Sequence, residues 1–463
     1  MSTLFTQLAT FRSEKLLNKR IWHMAWPPML SNITTPLLGL VDTAVVGHLA
    51  NESHLGAVAI GASIFSLVFW AFGFLRMGST GLTAQAIGRK DDQRVLELLL
   101  QSVLLGILIG LLLIMFKEPI IDVMLWMMSP SEQVEPWARL YCEIRILSAP
   151  AVLAGYAVVG WFYGVQNARG PLWIMLLINI VNMVLDYYAV YQLDMASDGV
   201  AWATVISQYS GLALAFYLAS KQLKKQGISL SSGISKSLLK VSEYVALIQV
   251  NRYLFVRTIL LLTVGIFFTA QGSVQGDNIL AANAVLLTFL MIISNALDGF
   301  AFSVEALCGE AIGQKDKTQF EKVVFLSSIW ALFAALGLVF IFWIFGNSIV
   351  SLLTNIESVK SIAAIYLPWL VIFPLLGIWS FMLDGVFIGA TEVKQMQDAM
   401  IVSVLLVFFP CWYVSQQLGM GNHGLWLSQA ALFIARGISM YWLYRRNLEQ
   451  GKWFPIKRES EIK

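Results

Sequence analysis

Charge is scarce in this chain: Asp, Glu, Lys and Arg make up 13% of its 463 residues, about half the roughly 25% usual in soluble domains. The formal net charge of +3 is too small for a protein that must neutralise a phosphate backbone, which excludes a nucleic-acid partner. Cysteine is scarcer still. Cys142, Cys308 and Cys411 lie in apolar stretches without Cys-x-x-Cys spacing, so neither a disulfide framework nor a zinc site is indicated. His23, His48, His54 and His423 are scattered, with no His-Glu-x-x-His pattern around them. No metal, no cofactor and no enzymatic cluster of Ser, His and Asp is therefore expected. What the chain holds in excess is apolar surface: 58% of its residues are hydrophobic, against about 45–50% in soluble domains, and its mean hydropathy is +0.71. One soluble domain cannot hide so much, so the chain reads as an all-α membrane protein whose first partner is the lipid bilayer.

A membrane-spanning helix needs about 20 apolar residues. Twelve stretches qualify, centred near residues 36, 67, 106, 152, 181, 210, 258, 291, 334, 376, 406 and 433. Arg12, Lys15, Lys19 and Arg20 precede the first, and no small-residue cleavage site follows a short apolar core, so the first stretch reads as a retained helix rather than a signal peptide. Basic residues set the orientation. With the N-terminus inside, the inward segments hold most of the Lys and Arg, whereas the outward segments hold only Lys117, Arg139 and Lys360. Both termini are expected in the cytoplasm, in a bacterial inner membrane.

The chain repeats itself. Ala86-Ile87-Gly88-Arg89-Lys90-Asp91 falls on Ala311-Ile312-Gly313-Gln314-Lys315-Asp316, an offset of 311 − 86 = 225. The same offset lays Gly160-x-Phe162-x-Gly164 on Gly385-x-Phe387-x-Gly389, and Gly199 on Gly424. Six spans per repeat is an even number, so both halves insert in the same direction, as two six-helix lobes related by a pseudo-two-fold axis along the membrane normal. The expected limits are residues 1–220 for the N-lobe, 221–240 for a cytoplasmic linker, 241–446 for the C-lobe and 447–463 for a tail. Two such lobes flanking a cleft form a transporter architecture.

Polar residues inside apolar spans are the candidate site, because a carboxylate at bilayer depth is costly unless paired, hydrated or protonated. Asp42 is the acid of the first span, and Thr35 shares its face seven residues earlier. Asn179, Asn182 and Asp186 recur at three and four residues on the fifth span; Thr204 and Gln208 share a face of the sixth. At about 1.5 Å per residue, Asp42, Asp186 and Thr204 reach one level in the outer half of the membrane. Offset by 225, positions 42 and 186 become Phe267 and Cys411, so the acid pair belongs to the first half alone. The second half has Asp298, Glu305 and Asp384. Glu305 reads as interfacial; Asp298 and Asp384 read as partners for Arg252, Arg257 or Arg436, in structural ion pairs. Pro27, Pro28 and Pro36 interrupt the backbone ladder of the first span, and Pro27 with Pro28 is a candidate hinge.

Ala25-Trp26-Pro27-Pro28, Leu37-Leu38-Gly39-Leu40-Val41-Asp42-Thr43-Ala44, Thr83-Ala84-Gln85-Ala86-Ile87-Gly88, Asn182-x-x-x-Asp186 and Leu383-Asp384-Gly385-x-Phe387-Ile388-Gly389-Ala390-Thr391 together resemble the multidrug and toxic compound extrusion (MATE) family, and more narrowly its DinF branch, over about residues 20–445. The resemblance implies a proton-driven antiporter of amphipathic, mostly cationic xenobiotics. In it Asp42, Asn182, Asp186 and Thr204 form the N-lobe cavity, and Pro27 is the bending point. The chain has Gln166-Asn167-Ala168-Arg169-Gly170-Pro171 in place of the longer loop motif of other branches, and no acid between Asn251 and Gly272 where sodium-coupled members carry one. A lipid-linked saccharide flippase of the same broad superfamily and a sodium-coupled antiporter are the alternatives. The expected partners are small-molecule substrates, protons and lipid, with the chain as a monomer.

Overall fold

The computed structural model describes residues 14–46, 52–228 and 241–454; the side chains of 33–46, 52 and 241–243 lie outside that description. Among the described residues the regular elements are helices. The first half holds α1 (Lys15–Val46), α2 (Glu52–Ala71), α3 (Phe74–Gly88), α4 (Asp92–Met115), α5 (Lys117–Met128), α6 (Glu135–Arg145), α7 (Ala149–Gly164), α8 (Arg169–Gln192) and α9 (Ser197–Lys225). The second holds α10 (Val241–Val274), α11 (Asp277–Gln314), α12 (Lys317–Leu353), α13 (Glu357–Gly389), α14 (Val393–Val402), α15 (Phe409–Gln417) and α16 (Gly421–Glu449). Ten stretches are long and apolar enough to cross a membrane: α2 with α3, α4, α6 with α7, each of α8 to α13, and α14 with α15. With α1 and α16 the described helical passes number 10 + 2 = 12, and each of the twelve expected centres falls within a different one.

The repeat is written into the backbone as well as the sequence. Lys90 and Lys315 both take a positive φ, 56° and 59°, and each is followed by an aspartate that caps the next helix. Asp91 accepts from the Arg94 N–H at 3.0 Å and Asp316 from the Gln319 N–H at 2.9 Å, satisfying donors that a helix start leaves open. Gln166 and Thr391 repeat the positive φ, at 60° and 57°, as do Asp194 and Gly419 at 52° and 71°. All three pairs are 225 residues apart.

Two tight crossings organise the halves in the same way. In the first, α3 packs on α7, and a Cβ added at Gly160 would collide with the Arg76 carbonyl. In the second, α11 packs on α13, and a Cβ at Gly385 would come within 2.5 Å of the Ala301 carbonyl oxygen. One turn on, Gly164 meets the Thr80 carbonyl and Gly389 the Glu305 carbonyl. Glycine is required at these points because the partner is backbone, which has no rotamer to yield. Glu305 itself is buried at this crossing, at 1% exposure. The close approach of α13 covers it.

The chain divides into two compact units, Leu30–Asn251 and Met1–Met29 with Arg252–Lys463. The stretch of α1 before Met29 is held in the second of these. Arg20 bonds to Glu310 at 2.6 Å, Lys322 to Glu14 at 2.6 Å, and the Trp330 indole N–H to Asn18 at 2.8 Å. Trp22 packs edge-on against both Phe300 and Trp330. The helix runs unbroken through Pro27, Pro28 and Pro36, and the border between units falls directly after the paired prolines. Between α14 and α15 the backbone loosens into a π-helical segment, Ser403–Phe408. Pro410 has no N–H to offer the Leu406 carbonyl, which removes one rung of the α-helical ladder there.

Candidate functional site

In the unit Leu30–Asn251, α8 and α9 form an antiparallel pair joined by a short turn. The outer face of α8 is apolar and exposed at Ile180, Val184 and Tyr187, while Asn179, Asn182 and Asp186 are buried on the opposite face. An apolar helix that buries its amides and its acid has turned its polar stripe away from lipid. Asp186 and Asn182 are fully buried, at 0% exposure, and Thr204 on α9 is 3% exposed.

Thr204 is the pivot between the two helices. Its hydroxyl donates to the Val200 carbonyl at 2.8 Å, leaving the oxygen's lone pairs to accept from the Asn182 side-chain amide at 3.3 Å. That bond fixes which end of the amide faces α9. Asn182 Oδ1 then points elsewhere and has no hydrogen-bond partner among the described residues. A buried acceptor without a donor costs about 1–3 kcal/mol, and a proton, water or cationic ligand would satisfy it. Gln208 lies one turn beyond Thr204 and is half-buried; the antiparallel register sets it nearer Asn179 than Asp186. Asp42 and Thr35 lie on α1, and their side chains fall outside the described residues. Pro27 and Pro28 are buried.

Among its described residues the second unit shows no copy of this stripe. Phe267, in the position of Asp42, sits edge-on among Phe408, Phe409 and Trp412 at 5.9, 5.1 and 4.9 Å. Its charge lies elsewhere. Both Arg257 and Arg436 donate to the same oxygen of Asp384, the Arg436 bond measuring 2.6 Å. Arg436 also stacks its guanidinium over the Phe433 ring at 5.2 Å. Of the candidate partners for Asp384, Arg257 and Arg436 are thus brought to it, whereas Arg252 is exposed with its guanidinium over the Tyr253 ring at 5.0 Å. Asp298 is half-buried on α11.

One buried polar cluster was not singled out from the sequence. Asn283 on α11 and Asn422 on α16 exchange side-chain amide bonds at 2.8 and 2.9 Å, and the Trp426 indole N–H donates to Asn283 at 3.0 Å. An isolated Asn in an apolar run was the available signal, but interhelical amide bonds of this kind are common in membrane bundles.

The MatE family profile matches the chain twice, over residues 27–188 and 254–414. The chain belongs to the MatE family. The two matched segments start 254 − 27 = 227 residues apart, close to the spacing of the sequence repeat. The chain is 40% identical to the DNA damage-inducible protein F of Escherichia coli, over 98% of this chain and 97% of that one. It is 24% identical to a probable multidrug resistance protein NorM of Acinetobacter baylyi, over 95% and 98%. A crystal structure of MATE in the bent conformation superposes with a TM-score of 0.83 at 20% identity, covering 96% of this chain and 98% of that one. This MATE chain is accordingly an all-helical, multi-pass membrane transporter of the DinF type, with twelve membrane helices in two lobes.

Proposed function

We propose that this MATE chain exports amphipathic, mostly cationic compounds in exchange for protons, by alternating access. The observation that carries the reading is the buried stripe of Asn179, Asn182 and Asp186 on α8 against Thr204 on α9, with Asp42 on α1 as the second acid. A carboxylate in a water-poor site holds either a proton or a cation. Protonation of Asp186 and Asp42 removes the charge that retains a cationic drug, and release of the proton restores it. The bond from Asn182 to Thr204 keeps the amide donor turned away, so its carbonyl stays available to the transported species. The relative named as a probable multidrug resistance protein supports the substrate class. Pro27 and Pro28 serve as the bending point of α1 that changes the shape of the N-lobe cavity. The lobes run 1–220 and 241–446, the protein acts as a monomer in a bacterial inner membrane, and both termini are cytoplasmic.

The flippase alternative needs uncommitted intramembrane arginines to grip a pyrophosphate. Arg257 and Arg436 are committed to Asp384, and Arg145 to Ser148 and to the rings of Phe65 and Phe69, which argues against it. The deciding experiment is uptake of a fluorescent cation into liposomes holding the purified chain. Uptake should follow an imposed pH gradient, collapse with an uncoupler, ignore a sodium gradient, and vanish in Asp186→Asn and in Asp42→Asn at unchanged incorporation. Sodium-driven uptake that survives the uncoupler would overturn the proton reading.

A further inference from the structure

Apart from the transport site, the unit that contains α11 to α16 carries a cavity of about 510 Å³ walled by α12, α13 and α16. Its lining changes character along its length. Lys317 and Glu321 stand at the start of α12, and Arg445 and Glu449 at the end of α16, so four charges share one mouth. Further in, the walls are Phe325, Trp379 and Tyr441. Phe325 is eight residues along α12 and Trp379 ten residues short of the end of α13, depths of about 12 and 15 Å at 1.5 Å per residue.

The charges at the mouth are available to a ligand. Lys317 and Glu321 stand 3.8 Å apart, Arg445 and Glu449 3.2 Å, and all four side chains are half-exposed or more. Exposed pairs one helical turn apart are weak, so exchanging them for a ligand's charges costs little. The large rings deeper in are open too: Trp379 and Tyr441 are 48% and 53% exposed. Tyr441 lies against Tyr444, which in turn lies near parallel to Phe320.

We infer that this groove holds a membrane phospholipid with a zwitterionic, primary-ammonium headgroup. Its phosphate lies against Arg445 and Lys317, its ammonium against Glu321 and Glu449, and one acyl chain runs along Phe325 and Trp379. The polarity gradient selects a lipid over a soluble zwitterion, because only a lipid uses both the charged mouth and the apolar depth. The two carboxylates select against an anionic headgroup, which sets its phosphate on the same two cations but brings no positive charge to Glu321 and Glu449. They select a primary ammonium over a quaternary one because only the former donates hydrogen bonds to them.

Native mass spectrometry of the full-length protein, delipidated in detergent and titrated with defined lipids, tests this. Phosphatidylethanolamine should outbind phosphatidylglycerol and phosphatidylcholine by roughly tenfold, the worth of about one charge-assisted hydrogen bond. Glu321→Gln with Glu449→Gln should erase that preference. Lys317→Ala with Arg445→Ala should weaken every phospholipid, while Arg445→Lys retains binding and Lys360→Ala, at the far end of α13, changes nothing. Equal occupancy by phosphatidylethanolamine and phosphatidylglycerol in the unaltered protein would overturn the proposal, as would a preference that survives the double glutamine variant. Saturation by soluble glycerophosphoethanolamine at the same concentration would overturn the lipid assignment.

Discussion

Asp384→Asn should destabilise the protein without touching the stripe on α8 and α9. The carboxylate receives bonds from Arg257 and Arg436 on a single oxygen, and both guanidiniums are buried. Hydrogen bonds to a charged group are worth about 1.5–3 kcal/mol each, so two amount to about 3–6 kcal/mol. The cost of stripping one partner from a buried ion pair, about 3–5 kcal/mol, lies in the same range. The amide oxygen still accepts hydrogen bonds but brings no charge, and two buried cations then face each other. The assay is thermal unfolding in detergent, followed by the monodisperse fraction on size exclusion, where Asp384→Asn should lose several degrees. Adding Arg257→Gln removes one surplus cation, so the double variant should recover part of the loss. Wild-type melting of Asp384→Asn would refute the structural role, and so would a double variant whose loss is the sum of the two singles.

Thr204→Val keeps the shape of the side chain but removes the acceptor of Asn182, and should cost about 1–3 kcal/mol and lower efflux while leaving membrane insertion intact; efflux at wild-type rate would remove Thr204 from the site. Pro27→Ala with Pro28→Ala restores two rungs of the α1 ladder, and should slow exchange more than it changes equilibrium drug affinity; unchanged turnover would dismiss the hinge. Gly385→Val and Gly160→Val should each cost about 1–3 kcal/mol or more and reduce the folded yield. Gly155→Val, where an added Cβ meets nothing within 4 Å, should not.

The spans and the repeat were legible because each rests on a local signal. Long apolar runs mark themselves, and the polar turn from Ala86 to Asp91 recurs from Ala311 to Asp316 where apolar composition cannot imitate it. The backbone devices behind the repeat were not legible. Lys90, Gln166 and their counterparts Lys315 and Thr391 hold a left-handed conformation that nothing in a Lys, Gln or Thr side chain announces. The faces of α8 and α9 followed from spacing, but the direction of the Asn182 amide depends on which way the Thr204 hydroxyl turns, and that is set by the Val200 carbonyl. Asp384 had three arginine candidates in sequence. Only the packing of α13 against α16, and the placing of Arg257 with them, chose two. The burial of Glu305 was not legible, because position along a helix says nothing about how closely a neighbouring helix approaches.

The glycine crossings bear on how such a chain can move. Where α7 rests on α3 and α13 on α11, carbonyl oxygens lie directly against a hydrogen-bearing α-carbon, and no layer of side chains separates the helices to act as a bearing. Advancing α13 by one residue would drive Val386 into the Ala301 carbonyl; advancing α7 by one would do the same with Trp161 at Arg76. Such pairs cannot shear. They move as riveted struts, so any rearrangement within either unit has to tilt whole struts or bend a helix away from these contacts.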